Sequence, residues 1–165
     1  MNNMRAGVVA SVLALLVLPI ASCGTEPEVK NTITVDQAEE RVEHYIRQAV
    51  DVLPAQARPE PGLIHTTDCD DPTDNGPQGR KVASADYQIF DLSPAEYPKY
   101  VADLERWWRD NGFRILDDER PTYQSISVEN NEDGFRIRVQ DNDQGELYIT
   151  ASSPCVWPHG TPEPE

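Results

Sequence analysis

Apolar residues that recur every three or four positions predict two amphipathic helices. Before the first helix, Thr34 and Gln37 fit a capping box, and Pro54 ends the apolar pattern. The second begins with another capping-box pattern at 93–96, but Pro98 predicts that this first turn is separate from the main helix, which is expected over 98–111 and before Gly112. The apolar stripes are Ala38, Val42, Tyr45, Ile46, Ala49 and Leu53 in the first helix, and Tyr97, Val101, Leu104 and Trp108 in the second. Each stripe requires an apolar surface to pack against.

Alternation of apolar and polar residues predicts strands at 81–90, 113–116, 123–129, 134–140 and 146–152. Glycine-ended turns join the last three strands into an antiparallel meander. Strands with one apolar and one polar face form a sheet that a single layer of helices can cover. We therefore expect an α+β fold, a two-layer sandwich of a mainly antiparallel sheet of about five strands covered by two helices, in the order α-β-α-β-β-β-β.

Proline and short polar residues mark two segments as irregular. Residues 54–79 are rich in proline, glycine and aspartate, which predicts an acidic loop rather than a helix or strand. Residues 158–165 carry three prolines and are expected to form a disordered tail. The single folded domain is therefore predicted to span 34–157.

The N-terminus has the layout of a secretory signal peptide over residues 1–22. Arg5 precedes an apolar run at 6–21 that ends in Ile20-Ala21-Ser22-Cys23, and these last residues resemble the lipobox of bacterial lipoproteins. The resemblance implies acylation of Cys23, a tether over 23–33 and a position on the extracytoplasmic face of the cell membrane. The alternative is a retained transmembrane helix, but the run is shorter than a membrane span requires.

The charge and the cysteines narrow the possible partners and covalent bonds. A net charge of −15 argues against binding nucleic acid through a basic patch. With Cys23 used for the lipid, Cys69 and Cys155 remain, and an even pair in an oxidising compartment predicts a disulfide. A metal-binding or nucleophilic role is the less favoured alternative, because neither cysteine lies in a C-x-x-C motif or beside a histidine.

No pattern typical of catalysis occurs in the chain, so we expect a protein that is not an enzyme and has no cofactor. The three histidines are scattered, and the nucleophile elbow, Walker loop, zinc-protease and dinucleotide motifs are absent from the sequence. The acidic loop is a weak candidate for calcium through the carboxylates of Asp68, Asp70, Asp71 and Asp74. An ordinary acidic turn explains these residues equally well, because the EF-hand spacing is not met.

The polar face of the predicted sheet is the candidate binding face. It carries Tyr123, Arg136, Arg138 and Tyr148, and it suits a peptide, a glycan or an acidic partner. The alternative is a solvated surface on which the arginines pair with Glu129 and Glu146. We expect a monomeric domain, held at the membrane by its lipid, that binds another envelope component, and the partner we favour is a protein. The alternative is a small-ligand or calcium-binding protein that uses the acidic loop.

Several short motifs resemble those of a group of short actinobacterial envelope lipoproteins. They are Cys69-Asp70-Asp71-Pro72-Thr73-Asp74, the pair Trp107-Trp108, Glu129-Asn130 with Asp133-Gly134-Phe135-Arg136, and Ala151-Ser152-Ser153-Pro154-Cys155-Val156-Trp157. The resemblance spans nearly the whole chain after the signal peptide. It implies the same envelope location and paired cysteines, and it adds no catalytic residue.

Overall fold

The computed structural model describes residues 30–69 and 77–162 of the chain. Two helices, α1 (Val35–Val52) and α2 (Tyr97–Asp110), accompany one six-stranded antiparallel sheet, and a single 3₁₀ turn (Pro94–Glu96) precedes α2. The strands are β1 (Arg58–Asp68), β2 (Lys81–Phe90), β3 (Phe113–Asp118), β4 (Ile126–Asn130), β5 (Arg136–Asp141) and β6 (Leu147–Ser152). The predicted α+β two-layer fold is confirmed, with one strand more than expected.

Both helices lie on one side of the sheet, whose strand order is β1-β2-β6-β5-β4-β3. Helix α1 packs on β2 and β6, and α2 packs on β3 and β4. The predicted stripes supply the core, since Ala38, Val101 and Leu104 are fully buried against the apolar face of the sheet. The sandwich therefore has one interior, between a single helical layer and the sheet.

The start of α1 follows the sequence prediction. The backbone N–H of Gln37 donates to the Thr34 hydroxyl at 3.2 Å, and the Thr34 N–H donates to the Gln37 side-chain oxygen at 3.0 Å. This reciprocal capping box satisfies two backbone donors that the first helical turn leaves unpaired. Before α2 the predicted capping box is wrong, because the Ser93 side chain makes no capping hydrogen bond. The predicted separation of the first turn from the main helix is confirmed by the 3₁₀ turn Pro94–Glu96.

Strand β1 corrects the prediction that residues 54–79 lack regular structure. It occupies the edge of the sheet and pairs only with β2, with a bulge between Pro61 and Ile64. An edge strand tolerates proline because its missing N–H is not needed on the unpaired side. A Cβ at Gly62 would lie only 3.1 Å from the Asp86 carbonyl oxygen, so glycine suits the bulge.

The segments flanking the domain are hydrogen-bonded to each other. The Trp157 backbone N–H donates to the Thr32 hydroxyl at 2.8 Å, and the Trp157 indole N–H donates to the Lys30 carbonyl at 3.1 Å. The Thr32 N–H donates to the Gly160 carbonyl at 2.9 Å. The predicted tether and tail are therefore wrong for residues 30–33 and 158–162, which belong to the folded domain.

Some predictions fall on residues outside these ranges. The signal peptide, Cys23, the acidic residues Asp70, Asp71 and Asp74, and the last three residues are among them. No helix within residues 30–69 and 77–162 is long and apolar enough to cross a membrane.

Candidate binding face and disulfide pocket

The sheet surface opposite the two helices, here called the open face, carries the predicted binding residues of β5 and β6. On these strands Ile137, Val139, Leu147 and Ile149 are buried toward the helices. Because side chains alternate across a strand, Arg136, Arg138, Tyr148 and Thr150 lie on the other side. No helix of the described chain covers this surface, which matches the prediction of a polar open face.

Tyr123 does not join this set. Strand β4 begins at Ile126, so Tyr123 lies in the preceding loop rather than in the strand predicted to start there. Its backbone N–H donates to the Glu119 carbonyl at 3.2 Å, and the residue is 53% exposed. The predicted aromatic position on β4 is therefore displaced from the sheet.

Arg138 fastens this loop to β5. Its guanidinium donates to Glu119 Oε2 at 2.6 Å and, from Nη2, to the hydroxyl of buried Ser125 at 2.9 Å. The alternative in which an arginine pairs with Glu146 is wrong, because Glu146 accepts hydrogen bonds from Asn142 and Tyr148 at 2.7 and 2.9 Å. Arg138 therefore holds the loop before β4 in position, in addition to lying on the open face.

Arg136 takes part in a charge cluster at the far end of the open face. Its Nε donates to Glu129 Oε2 at 2.9 Å, and Arg114 on β3 pairs with the other carboxylate oxygen. The hydrogen bond from Arg136, and to a smaller extent that from Arg114, lowers the pKa of Glu129 below its usual value. The Glu129 side chain is only 11% exposed, whereas those of Arg114 and Arg136 are 62% and 61% exposed. The predicted Glu129 pairing is therefore present, and it leaves two solvent-accessible guanidinium groups.

The turn before β5 sets the position of Arg136. Asp133 in this turn accepts hydrogen bonds from Arg41 and from the Tyr45 hydroxyl, at 2.9 and 2.8 Å. Burial, followed by the hydrogen bond to Asp133, raises the pKa of Tyr45, so the phenol remains a proton donor at neutral pH. Asn130 closes the turn from the other side by accepting the Glu132 N–H at 2.8 Å. The turn is thereby held against α1.

Cys69 and Cys155 form the predicted disulfide, with their Cα atoms 5.7 Å apart. The bond joins the residue after β1 to the segment after β6. Beside it lies a concave site of about 450 Å³ on the open face, here called the disulfide pocket. Its walls include Cys69, Arg80, Glu129, Arg136, Ser152 and Cys155. The disulfide and the Arg136 end of the candidate binding face thus meet at one place.

Only one of the four candidate calcium ligands lies in the described ranges. Asp68 pairs there with Lys81. Among the described residues, no group of three or more histidine, cysteine, aspartate or glutamate side chains is arranged to hold a metal ion. The calcium hypothesis therefore stays a prediction about the acidic segment that follows Cys69.

Sequence reasoning missed Arg114, Glu119 and the pocket. Arg114 lies directly opposite Glu129 in the β3–β4 register, so extending the alternation of residues 113–116 by register could have found it. Glu119 belongs to a loop, and no periodic signal links it to Arg138. The pocket depends on the chain turning back after β6, which residue patterns do not encode.

Comparison with known proteins gives one structural likeness. No protein-family model matches the chain, and no curated protein matches its sequence. The fold is similar to a structure described as "Crystal structure of the putative lipoprotein LppA from Mycobacterium tuberculosis". The identity is 14%, the match covers 79% of this chain and 86% of that chain, and the TM-score is 0.40. A likeness at this level carries no inference about function.

Proposed function

We propose that the chain is a non-enzymatic protein, anchored by lipid at Cys23 on the extracytoplasmic face of the cell membrane, that binds another envelope component through its open face. The partner we favour is a protein, and the domain acts as a monomer. The observation that carries the proposal is the polar open face, which the helical layer leaves uncovered and on which Arg136 remains more than half exposed.

The anchor follows from the lipobox-like residues 20–23. Acyl chains contribute about 0.8 kcal/mol for each buried CH₂ group, so a multiply acylated cysteine can hold a protein at the bilayer without a basic surface. This agrees with a chain whose net charge is −15. The folded domain is then free to use its surface for a partner rather than for lipid.

The open face has the composition of a recognition surface. Arginine and tyrosine are enriched in protein interfaces because they offer a large contact area together with hydrogen-bonding groups. Arg136 and Tyr148 lie on adjacent strands of one rigid sheet. Backbone pairing fixes the backbone at both positions, so no cost of ordering the backbone is expected when a partner binds.

The anchor is tested with Cys23→Ser in cells. We expect the unlipidated protein to leave the membrane fraction while its purified domain keeps the wild-type melting temperature. A variant that stays in the membrane fraction without acyl chains would refute the anchor. Thr25→Ser, which lies outside residues 20–23 and keeps the cysteine, serves as the processing control.

The binding face is tested by crosslinking and mass spectrometry on intact membranes. We expect a recurrent crosslinked protein that is lost in Arg136→Glu and retained in Arg106→Glu. Arg106 is the matched control because it is an exposed arginine on α2, on the helical side, with one carboxylate partner at 3.1 Å. Recovery of the same proteins from both variants would contradict the use of the open face.

The disulfide pocket favours a second candidate, the binding of a small ligand, since a concave site with polar walls can enclose a small molecule better than a flat face can. Calcium belongs to this candidate through the acidic segment. Titration of the full chain with calcium chloride should raise the melting temperature if that segment binds the ion. An unchanged melting temperature at millimolar calcium rejects it.

A further inference from the structure

We infer that the disulfide pocket binds an oxyanion group of the ligand, a carboxylate or a phosphate, through the guanidinium of Arg136 and the hydroxyl of Ser152. The inference rests on the proposed use of the open face for binding, and it adds the chemistry of the group that is recognised. It concerns the end of the open face beside the Cys69–Cys155 bond.

Strand register places these groups in one row. Glu129 is directly opposite Arg136, Arg136 is directly opposite Ser152, and Ser152 is directly opposite Ser84 on β2. Residues directly opposite one another in an antiparallel pair have Cβ atoms about 4.5–5.5 Å apart and project from the same face. A group with two or three oxygens can therefore reach Arg136 and Ser152 at once.

Arg136 has hydrogen-bonding capacity to spare. Its Nε is used on Glu129, whereas its two terminal nitrogens have no partner within residues 30–69 and 77–162. A guanidinium presents its N–H donors in a fixed fork that matches two oxygens of a carboxylate or phosphate. The Ser152 hydroxyl likewise has no partner among the described residues, and the side chain lines the pocket.

The charge of the row selects an anion. One carboxylate, Glu129, is shared by two guanidinium groups, so the cluster with Arg114 and Arg136 carries one excess positive charge. Arg80 lines the pocket as well, with its Nε donating to the Pro77 carbonyl at 3.0 Å. Among the residues that the structure describes, the pocket walls contain one carboxylate, that of Glu129, and the guanidinium groups of Arg114 and Arg136 already engage it. The excess positive charge of the cluster of Arg114, Glu129 and Arg136 attracts an anion.

The pocket walls are fixed before any ligand arrives. The disulfide holds one side. Next to it, the Ala83 N–H donates to the Ser153 hydroxyl at 3.0 Å, and the Ser153 N–H donates to the Ala83 carbonyl at 2.9 Å. Because the backbone around the pocket is already fixed, no cost of ordering the backbone is expected on binding.

The test is an NMR titration of the complete lipidated chain in detergent micelles, at constant ionic strength set with sodium chloride. The probes are sodium acetate, inorganic phosphate and, as the uncharged analogue of acetate, acetamide. We expect the backbone amide of Ser152 to shift saturably with acetate or phosphate, with half-saturation between about 1 and 100 mM, and not with acetamide. The tighter of the two anions identifies whether the ligand presents a carboxylate or a phosphate.

Variants assign the effect to the pocket. Arg136→Gln should weaken anion binding about tenfold or more, because a hydrogen bond to a charged group is lost. Arg136→Lys, which keeps the charge without the fork, should be intermediate, and Arg106→Gln should bind like the wild type. Ser152→Ala leaves the guanidinium in place and gives a second readout if Arg136→Gln fails to fold.

The outcomes separate this inference from the proposed function. The anion site is refuted if the chemical shifts change linearly with anion concentration and match those seen with chloride. It is also refuted if the Arg136 and Arg106 variants bind the anion equally well. Saturable anion binding without any membrane partner refutes the protein-binding function and leaves the pocket standing. If Arg136→Glu loses a membrane partner but the wild type shows no saturable anion binding, the anion site is refuted and the protein-binding function stands.

Discussion

Removal of the Cys69–Cys155 bond gives the most direct test of how the chain is held together. The double substitution Cys69→Ser/Cys155→Ser opens a loop of 86 residues. The chain-entropy relation assigns to a loop of this length about 4–5 kcal/mol of folding free energy at 25 °C, because the crosslink restricts the unfolded chain. Native stabilities of small domains are about 5–15 kcal/mol, so the change is large but need not abolish folding.

The native contacts around the bond are expected to survive its removal. The Cys69 N–H donates to the Arg80 carbonyl at 2.9 Å. On the other side, Lys81 and Val156 exchange two backbone hydrogen bonds of 2.8 Å each. Both ends therefore stay attached at β2. Removal of the disulfide lowers the folding free energy mainly because the unfolded chain gains conformational freedom.

Urea unfolding followed by tryptophan fluorescence measures the effect. With a slope of about 2 kcal/mol per molar urea, the midpoint should fall by about 2 M. The wild-type chain in excess reductant should unfold at the same midpoint as the double variant, and reductant should not move the variant further. A free-energy loss below about 1 kcal/mol, with both chains fully folded in water, would refute the chain-entropy reasoning.

Three further substitutions are predicted to change the stability of the domain or its dependence on pH. Tyr45→Phe should lower the free energy of unfolding by about 1 kcal/mol through loss of the bond to Asp133, measured by urea midpoint, and an unchanged midpoint would contradict the role of that bond. The pKa of Glu129 is lowered in the fold from its ordinary value of 4.5, so its ionised form stabilises the fold above that value and this contribution is lost as the pH falls through the lowered pKa. Glu129→Gln should therefore flatten the decrease in melting temperature below about pH 4.5, and an identical acid profile would refute this. Trp157→Ala should cost about 3–5 kcal/mol, since the side chain is only 4% exposed, and should speed hydrogen exchange of the Thr32 amide; slow exchange in the variant would show that the N-terminal segment is held by other contacts.

The sequence predicts those elements whose signals are local. Helix α1 combines a capping box with a regular apolar stripe, and both are present in the fold. Strand β2 and the last two strands alternate cleanly, because one of their faces is buried under helices. In each case the residue pattern and the burial have the same physical cause.

The missed features depend on position in the sheet and on distant contacts. Pro59, Pro61 and Gly62 indicate a loop by local rules, yet a strand at an edge can use them, and only the sheet order shows that β1 is at an edge. Trp157 lacks periodic neighbours, so nothing local indicates that it binds Lys30 and Thr32 from the other end of the domain.

For the binding face, the sequence identified the arginines and the side of the sheet but not their full set of partners. Arg136 pairs with Glu129 as expected, since both lie in regular strands with a definite register. Arg138 pairs with Glu119 because the loop before β4 folds back, a feature without a periodic pattern. Register could thus be inferred for strands, whereas loop contacts required the fold.

The attachment of Thr32 to the C-terminal segment determines how far the open face can reach from the bilayer. Thr32 and Ile33 line a small cavity together with Pro154 and Cys155, which also border the disulfide pocket. With Cys23 acylated, only the eight residues 24–31 separate it from Thr32 at this corner, a span of at most about 30 Å. The pocket would then sample a thin layer next to the membrane, and partners embedded in or lying on the same bilayer would meet it far more often than molecules deeper in the envelope.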